Sequence, residues 1–70
     1  MHKYEIIIYW ERQDDIYIAE APELAGCKAH GKNYDEALAN IKDAIALWIE
    51  TANEFGDYIP EAKGAKLRYA

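Results

Sequence analysis

The stretch that decides the fold is NYDEALANIKDAIALWIETANEFG, residues 33–56. Asn33 and Glu36 have the spacing of a capping box, in which Asn33 accepts from an early backbone N–H and Glu36 reaches back toward the helix start. Leu38, Ile41, Ile45, Trp48, Ala52 and Phe55 then recur at steps of three and four, with Ile49 on the same arc, at about 100° per residue. Phe55 is the last periodic residue, and Gly56 stands where a left-handed cap belongs. The pattern predicts one strongly amphipathic helix from Tyr34 to Phe55, about six turns long. Pro60 keeps it from resuming. Leu47 lies about 180° around from Leu38, among Asn40, Asp43, Glu50 and Glu54. It reads as an ordinary exposed leucine, with a contact point as the alternative.

Before the helix the chain is rich in strand formers. Tyr4 to Trp10 is a short run of Ile and Tyr, and Ile16 to Glu20 is a second, separated from it by the polar loop Glu11 to Asp15; this reads as a hairpin. Pro22 ends the second strand, Pro22 to Gly26 is a loop, and Cys27 to His30 is a short third strand that stops at Gly31. After the helix, Lys66 to Tyr69 alternates again and suggests a short fourth strand. The fold class expected is therefore α+β, in a single domain spanning residues 1–70: a three-stranded antiparallel meander, one long helix packed on it and a C-terminal strand.

This arrangement leaves apolar surface over. Strand one places Tyr4, Ile6, Ile8 and Trp10 on one face and Ile7 and Tyr9 on the other, while strand two sets Ile16 and Ile18 opposite Tyr17 and Ala19. One helix, about 10 Å across, covers only one sheet face, so Ile7, Tyr9 and Tyr17, or their counterparts, should be left bare. A chain of 70 residues buries only about 60% of its unfolded surface and has little stability to spare. A homo-oligomer (a dimer or tetramer), a protein partner, or both should cover the remainder.

Charge narrows the partner. Thirteen acidic against eight basic side chains give a net charge of −5, and no run of basic residues occurs, so direct nucleic-acid binding is not expected. A basic protein suits the chain better. The lone Cys27 excludes an internal disulfide and fits a cytoplasmic location, and no apolar stretch is long enough for a membrane span.

Few residues carry catalytic promise. Cys27 and His30 fall on opposite faces of a regular strand, and no second Cys/His pair completes a metal site. Asp14, Asp15, Glu20 and Glu23 cluster around strand ends, where carboxylates are usually solvated. No phosphate loop, dinucleotide glycine pattern, serine elbow or metalloprotease helix occurs. The sequence predicts a protein that binds and is not an enzyme, with no cofactor and no metal.

Taken together, Pro22-Glu23-Leu24-Ala25-Gly26-Cys27, then His30-Gly31-Lys32-Asn33-Tyr34-Asp35-Glu36-Ala37, then Ala44-Ile45-Ala46-Leu47-Trp48-Ile49 closely resemble the HicB-type antitoxin domain. The resemblance runs over roughly residues 4 to 61, and Ile59-Pro60-Glu61 adds to it. It implies a partial ribonuclease H-like fold and a protein that binds and neutralises a small HicA-like, mRNA-cleaving toxin. Longer relatives carry a C-terminal DNA-binding domain, which is not expected with so few residues after Pro60. The alternative is an orphan, self-assembling member of the same family that holds a small ligand at its oligomer interface. For the toxin-binding reading, the partner surface is assigned to Tyr9, Glu11, Asp14, Asp15, Tyr17, Glu20 and Glu23, by charge and by their place on or beside the hairpin.

Overall fold

A computed structural model describes residues 3–64. Three strands, β1 (Ile7–Glu11), β2 (Ile16–Glu20) and β3 (Lys28–Gly31), precede one helix, α1 (Tyr34–Phe55). The sheet is antiparallel throughout and ordered β1-β2-β3. This is the meander and helix that the sequence predicts. The expected strand Lys66 to Tyr69 lies outside the described residues.

The helix begins and ends where its caps place it. Asn33 is extended, and its side-chain oxygen accepts from the Glu36 N–H at 2.8 Å. Glu36 in turn accepts from the Lys32 N–H at 3.1 Å, one residue before the cap. At the other end Gly56 adopts φ 69°, and the Asp57 N–H reaches the Ala52 carbonyl at 2.8 Å. That is the Schellman closure, whose left-handed residue favours glycine.

Strand ends differ from the expectation by a few residues. The sequence suggested Tyr4 to Trp10 for the first strand, but the ladder runs from Ile7 to Glu11. Ile7 pairs with Glu20, the last residue of β2, so the ladder with β2 begins there. Tyr4 and Ile6 still pack against the core. Glu11 pairs with Ile16, which shortens the hairpin turn to Arg12 to Asp15, with Asp15 in the left-handed region at φ 56°. The third strand is displaced by one residue, because Cys27 serves the preceding loop: its carbonyl accepts from the Ala21 N–H at 3.0 Å and its own N–H donates to Leu24 at 3.1 Å.

Which face the helix takes is decided by size. In register, Ile8, Ala19 and Ala29 form one row across the sheet, and Trp10, Tyr17 and Gly31 form the next on the same face. The small residues of β2 and β3 let α1 settle over them, with Ala37, Ile41 and Ile45 buried against Ala19, Ala21, Leu24 and Cys27. α1 lies mainly over β3 and β2 and scarcely touches β1. Each buried isoleucine contributes about 1.5–3 kcal/mol. Gly31 makes the closest approach possible, since a Cβ there would stand 2.4 Å from the Ala37 backbone nitrogen. The opposite face of the sheet carries Ile7, Tyr9, Ile16 and Ile18, together with Glu11, Glu20, Lys28 and His30. Tyr17 therefore belongs to the helix side, and its place on the open face is taken by Ile16 and Ile18.

Candidate functional site

The open face of the sheet is built by alternation alone. Every second residue of β1 and β2 points away from α1, and on both strands those positions are largely apolar. Ile7 and Tyr9 are each 40% exposed, and Ile16 and Ile18 are half-buried only by their neighbours. Tyr9, Ile18 and His30 form the central row, flanked on one side by Ile7, Glu20 and Lys28 and on the other by Glu11 and Ile16. Apolar side chains thus occupy the middle of the face and charged ones its margins. That is the anatomy of a protein-binding patch: an apolar centre with a polar rim.

The margin is held in a fixed arrangement. Glu20 accepts from the Tyr9 hydroxyl at 3.1 Å and pairs with Lys28 at 3.4 Å, both through the same oxygen. The bond to Glu20, then burial and the nearby negative charge, push the Tyr9 phenol above its ordinary pKa, so it stays protonated and keeps donating. Glu11 accepts from the Gln13 N–H at 3.0 Å and stiffens the start of the turn. Asp14 and Asp15 stand exposed at the hairpin tip.

Two of the residues assigned to the partner surface from the sequence lie elsewhere. Tyr17 sits on the helix side, with its ring 5.1 Å from Trp10 edge-on and 4.4 Å from Tyr34. Burial, and then Tyr34, raise its pKa. Glu23 ties the chain together: one carboxylate oxygen accepts from the Glu5 N–H at 3.0 Å and the other from the Lys63 N–H at 2.9 Å. Those two bonds hold its carboxyl below the usual range. Tyr4 reinforces the tie by donating its hydroxyl to the Pro60 carbonyl. The segment after α1 is thereby fixed beside the segment before β1. Spacing gives no hint of Glu23, because its partners lie 18 and 40 residues away.

Cys27 is buried, and burial pushes its thiol up, which keeps it protonated and unreactive. His30 lies exposed on the open face. Among the described residues no group of three His, Cys, Asp or Glu side chains is placed to hold a metal ion. Nor is any helix among them long and apolar enough to cross a membrane.

A second surface opens beside α1. A groove of about 470 Å³ runs between Gly26, Cys27 and Lys28 on one side and Ala44, Leu47, Trp48 and Thr51 on the other, with Asp57 and Tyr58 at its end. Trp48 fixes its floor by donating from its indole nitrogen to the Ala25 carbonyl at 2.9 Å. Leu47 is 63% exposed.

Residues 4–68 match the family model described as the HicB-like antitoxin of bacterial toxin-antitoxin systems. Similar proteins come from distant organisms. A UPF0150 protein of Thermoplasma acidophilum is 41% identical over 65 residues, covering 93% of each chain. A UPF0150 protein of Synechocystis is 41% identical over 51 residues, covering 71% of this chain and 74% of its own. One from Archaeoglobus fulgidus is 34% identical over 59 residues, covering 81% and 84%. No solved structure gives a significant match.

Proposed function

The chain belongs to the HicB-like antitoxin family, and from that premise we propose that it neutralises a HicA-like, mRNA-cleaving toxin by binding it through the open face of the sheet. The observation that carries this reading is the composition of that face. Ile7, Tyr9, Ile16 and Ile18 form an apolar centre that the chain's own helix cannot reach. Around it stand Glu11 and Glu20, with Asp14 and Asp15 on the turn. Acidic margins on a chain of net charge −5 favour a basic partner, drawing it in and setting its orientation while the apolar centre supplies affinity. RNA-cleaving proteins are commonly basic, because their substrate is a polyanion.

In this reading the seven assigned residues act in two ways. Tyr9, Glu11, Asp14, Asp15 and Glu20 meet the partner. Tyr17 supports β2 from behind through its ring contacts with Trp10 and Tyr34, and Glu23 holds the chain ends in place beside the sheet. Inhibition needs no chemistry from this chain, since covering the toxin's RNA-binding surface is sufficient. Co-expression with the product of the neighbouring gene tests the reading. Co-purification and restored growth are expected, and failure of both would leave the chain without this function.

A further inference from the structure

The sheet has two edges, and they are not equivalent. The Ala21 N–H bonds the Cys27 carbonyl, so along the same register Ala19 and Ala29, then Tyr17 and Gly31, are the hydrogen-bonded pairs of β2 and β3. Lys28 and His30 alternate with them and turn their backbone groups away from β2, toward the open edge. One of those groups is already met: the Asn40 side chain on α1 donates to the His30 carbonyl at 2.8 Å. The Lys28 N–H, the Lys28 carbonyl and the His30 N–H have no hydrogen-bond partner among the described residues. At the other end of the sheet, Tyr4 to Pro60 and Glu23 to Glu5 and Lys63 tie the segment before β1 to the post-helix segment.

The groove lies directly beside the β3 edge, with Lys28 forming part of both. Its far wall is the stripe Ala44, Leu47 and Thr51 of α1. An added strand places alternate side chains toward such a wall while its backbone pairs with the edge. Charge selects the occupant. Asp43, Glu50 and Glu54 are exposed and fall within about 60° of Leu47 around α1, and Asp57 closes the groove's end. A second copy of this chain pairing edge to edge would bring two such acidic rims together. A strand bearing Lys or Arg would instead neutralise one.

We propose that the β3 edge accepts an extended, basic segment of the protein partner, which pairs with Lys28 and His30 and sets its alternate side chains against Leu47 and the groove. The proposal rests on the toxin-binding reading and adds a second, main-chain contact to it. Asn40 marks where that pairing ends.

The test uses the full chain with a catalytically inactivated HicA-like toxin encoded beside its gene. Lys28→Pro removes the outward N–H at a position where β2 makes no bond, the first residue of an edge strand, which tolerates proline. Lys28→Ala removes the same charge and keeps the N–H. Lys28→Pro should bind at least about tenfold more weakly than Lys28→Ala, the scale of one lost backbone bond in a desolvated interface, and equal affinities for the two variants would count against the pairing. Amide exchange followed by NMR on the wild-type complex gives a readout that no folding defect can imitate. The Lys28 and His30 amides should slow at least about tenfold on binding. Unchanged exchange at both amides in a formed complex overturns the strand proposal alone, whatever the affinities. Absence of any wild-type complex overturns the toxin-binding reading and this proposal with it.

Discussion

The two faces of the sheet are made by the same strands, from the same kinds of residue, yet among the described residues only one is closed by another element of the chain. On the helix side the rows Ile8-Ala19-Ala29 and Trp10-Tyr17-Gly31 decrease in size toward β3, and α1 fills the space that this leaves. On the other side the rows Ile7-Glu20-Lys28 and Tyr9-Ile18-His30 set Ile7, Tyr9 and Ile18 beside polar side chains, and no element among the described residues packs over them. The first face is a core, where shape decides. The second is a surface whose apolar content exceeds what folding uses. That difference supports the proposed binding role of the open face, which gives its exposed isoleucines a use.

The comparison is broken most strongly from the helix side. Ile41 is fully buried, so Ile41→Ala should cost about 2–5 kcal/mol in denaturant unfolding, the range for large-to-small changes in a core. Ile18→Ala on the open face should cost less than half as much. Equal losses would mean that the two faces are not different environments. Next in size is Gly31→Ala, whose methyl group would collide with the first turn of α1; overpacking of this kind costs about 1–3 kcal/mol. Asn33→Ala removes the helix cap and should cost about 1 kcal/mol, read from the same unfolding curves.

The smallest effect belongs to the tie between the chain ends. The Glu23 carboxyl is held below its ordinary value by the Glu5 and Lys63 N–H groups, so its contribution is fully present above the unfolded carboxylate pKa. It is lost as pH falls through the lower folded value. Thermal melts from about pH 6 down to about pH 3 should therefore show a smaller acid-induced drop for Glu23→Gln than for the wild type. Parallel curves would show that the tie adds nothing.

The helix was fully legible in the sequence, to the residue, because its periodicity is bounded by two local signals, Asn33 with Glu36 and Gly56. Strand ends were less so. Where β1 stops pairing depends on where β2 turns away at Ala21, a fact of the neighbouring strand and not of Tyr4 to Ile6. The face assignment of Tyr17 failed for a related reason: both alternating sets on the hairpin are apolar, so polarity could not choose between them. Size could have done so, since Ala19, Ala29 and Gly31 share one face once β2 and β3 are put in register. Of the candidate site, the acidic hairpin and Tyr9 were readable as a surface. The role of Glu23 was not, because a carboxylate joining backbone groups 18 and 40 residues away leaves no trace in local pattern.

The central claim is that the open face, and not the core behind it, meets the partner. Ile18→Lys tests it most directly, by placing a charge at the centre of that face while the aliphatic stem keeps the strand's packing. Titration calorimetry against the neighbour-encoded toxin, alongside unfolding of the free variant, should show stability changed by less than about 1 kcal/mol and affinity reduced at least about tenfold. Wild-type affinity in a folded Ile18→Lys chain would contradict the account.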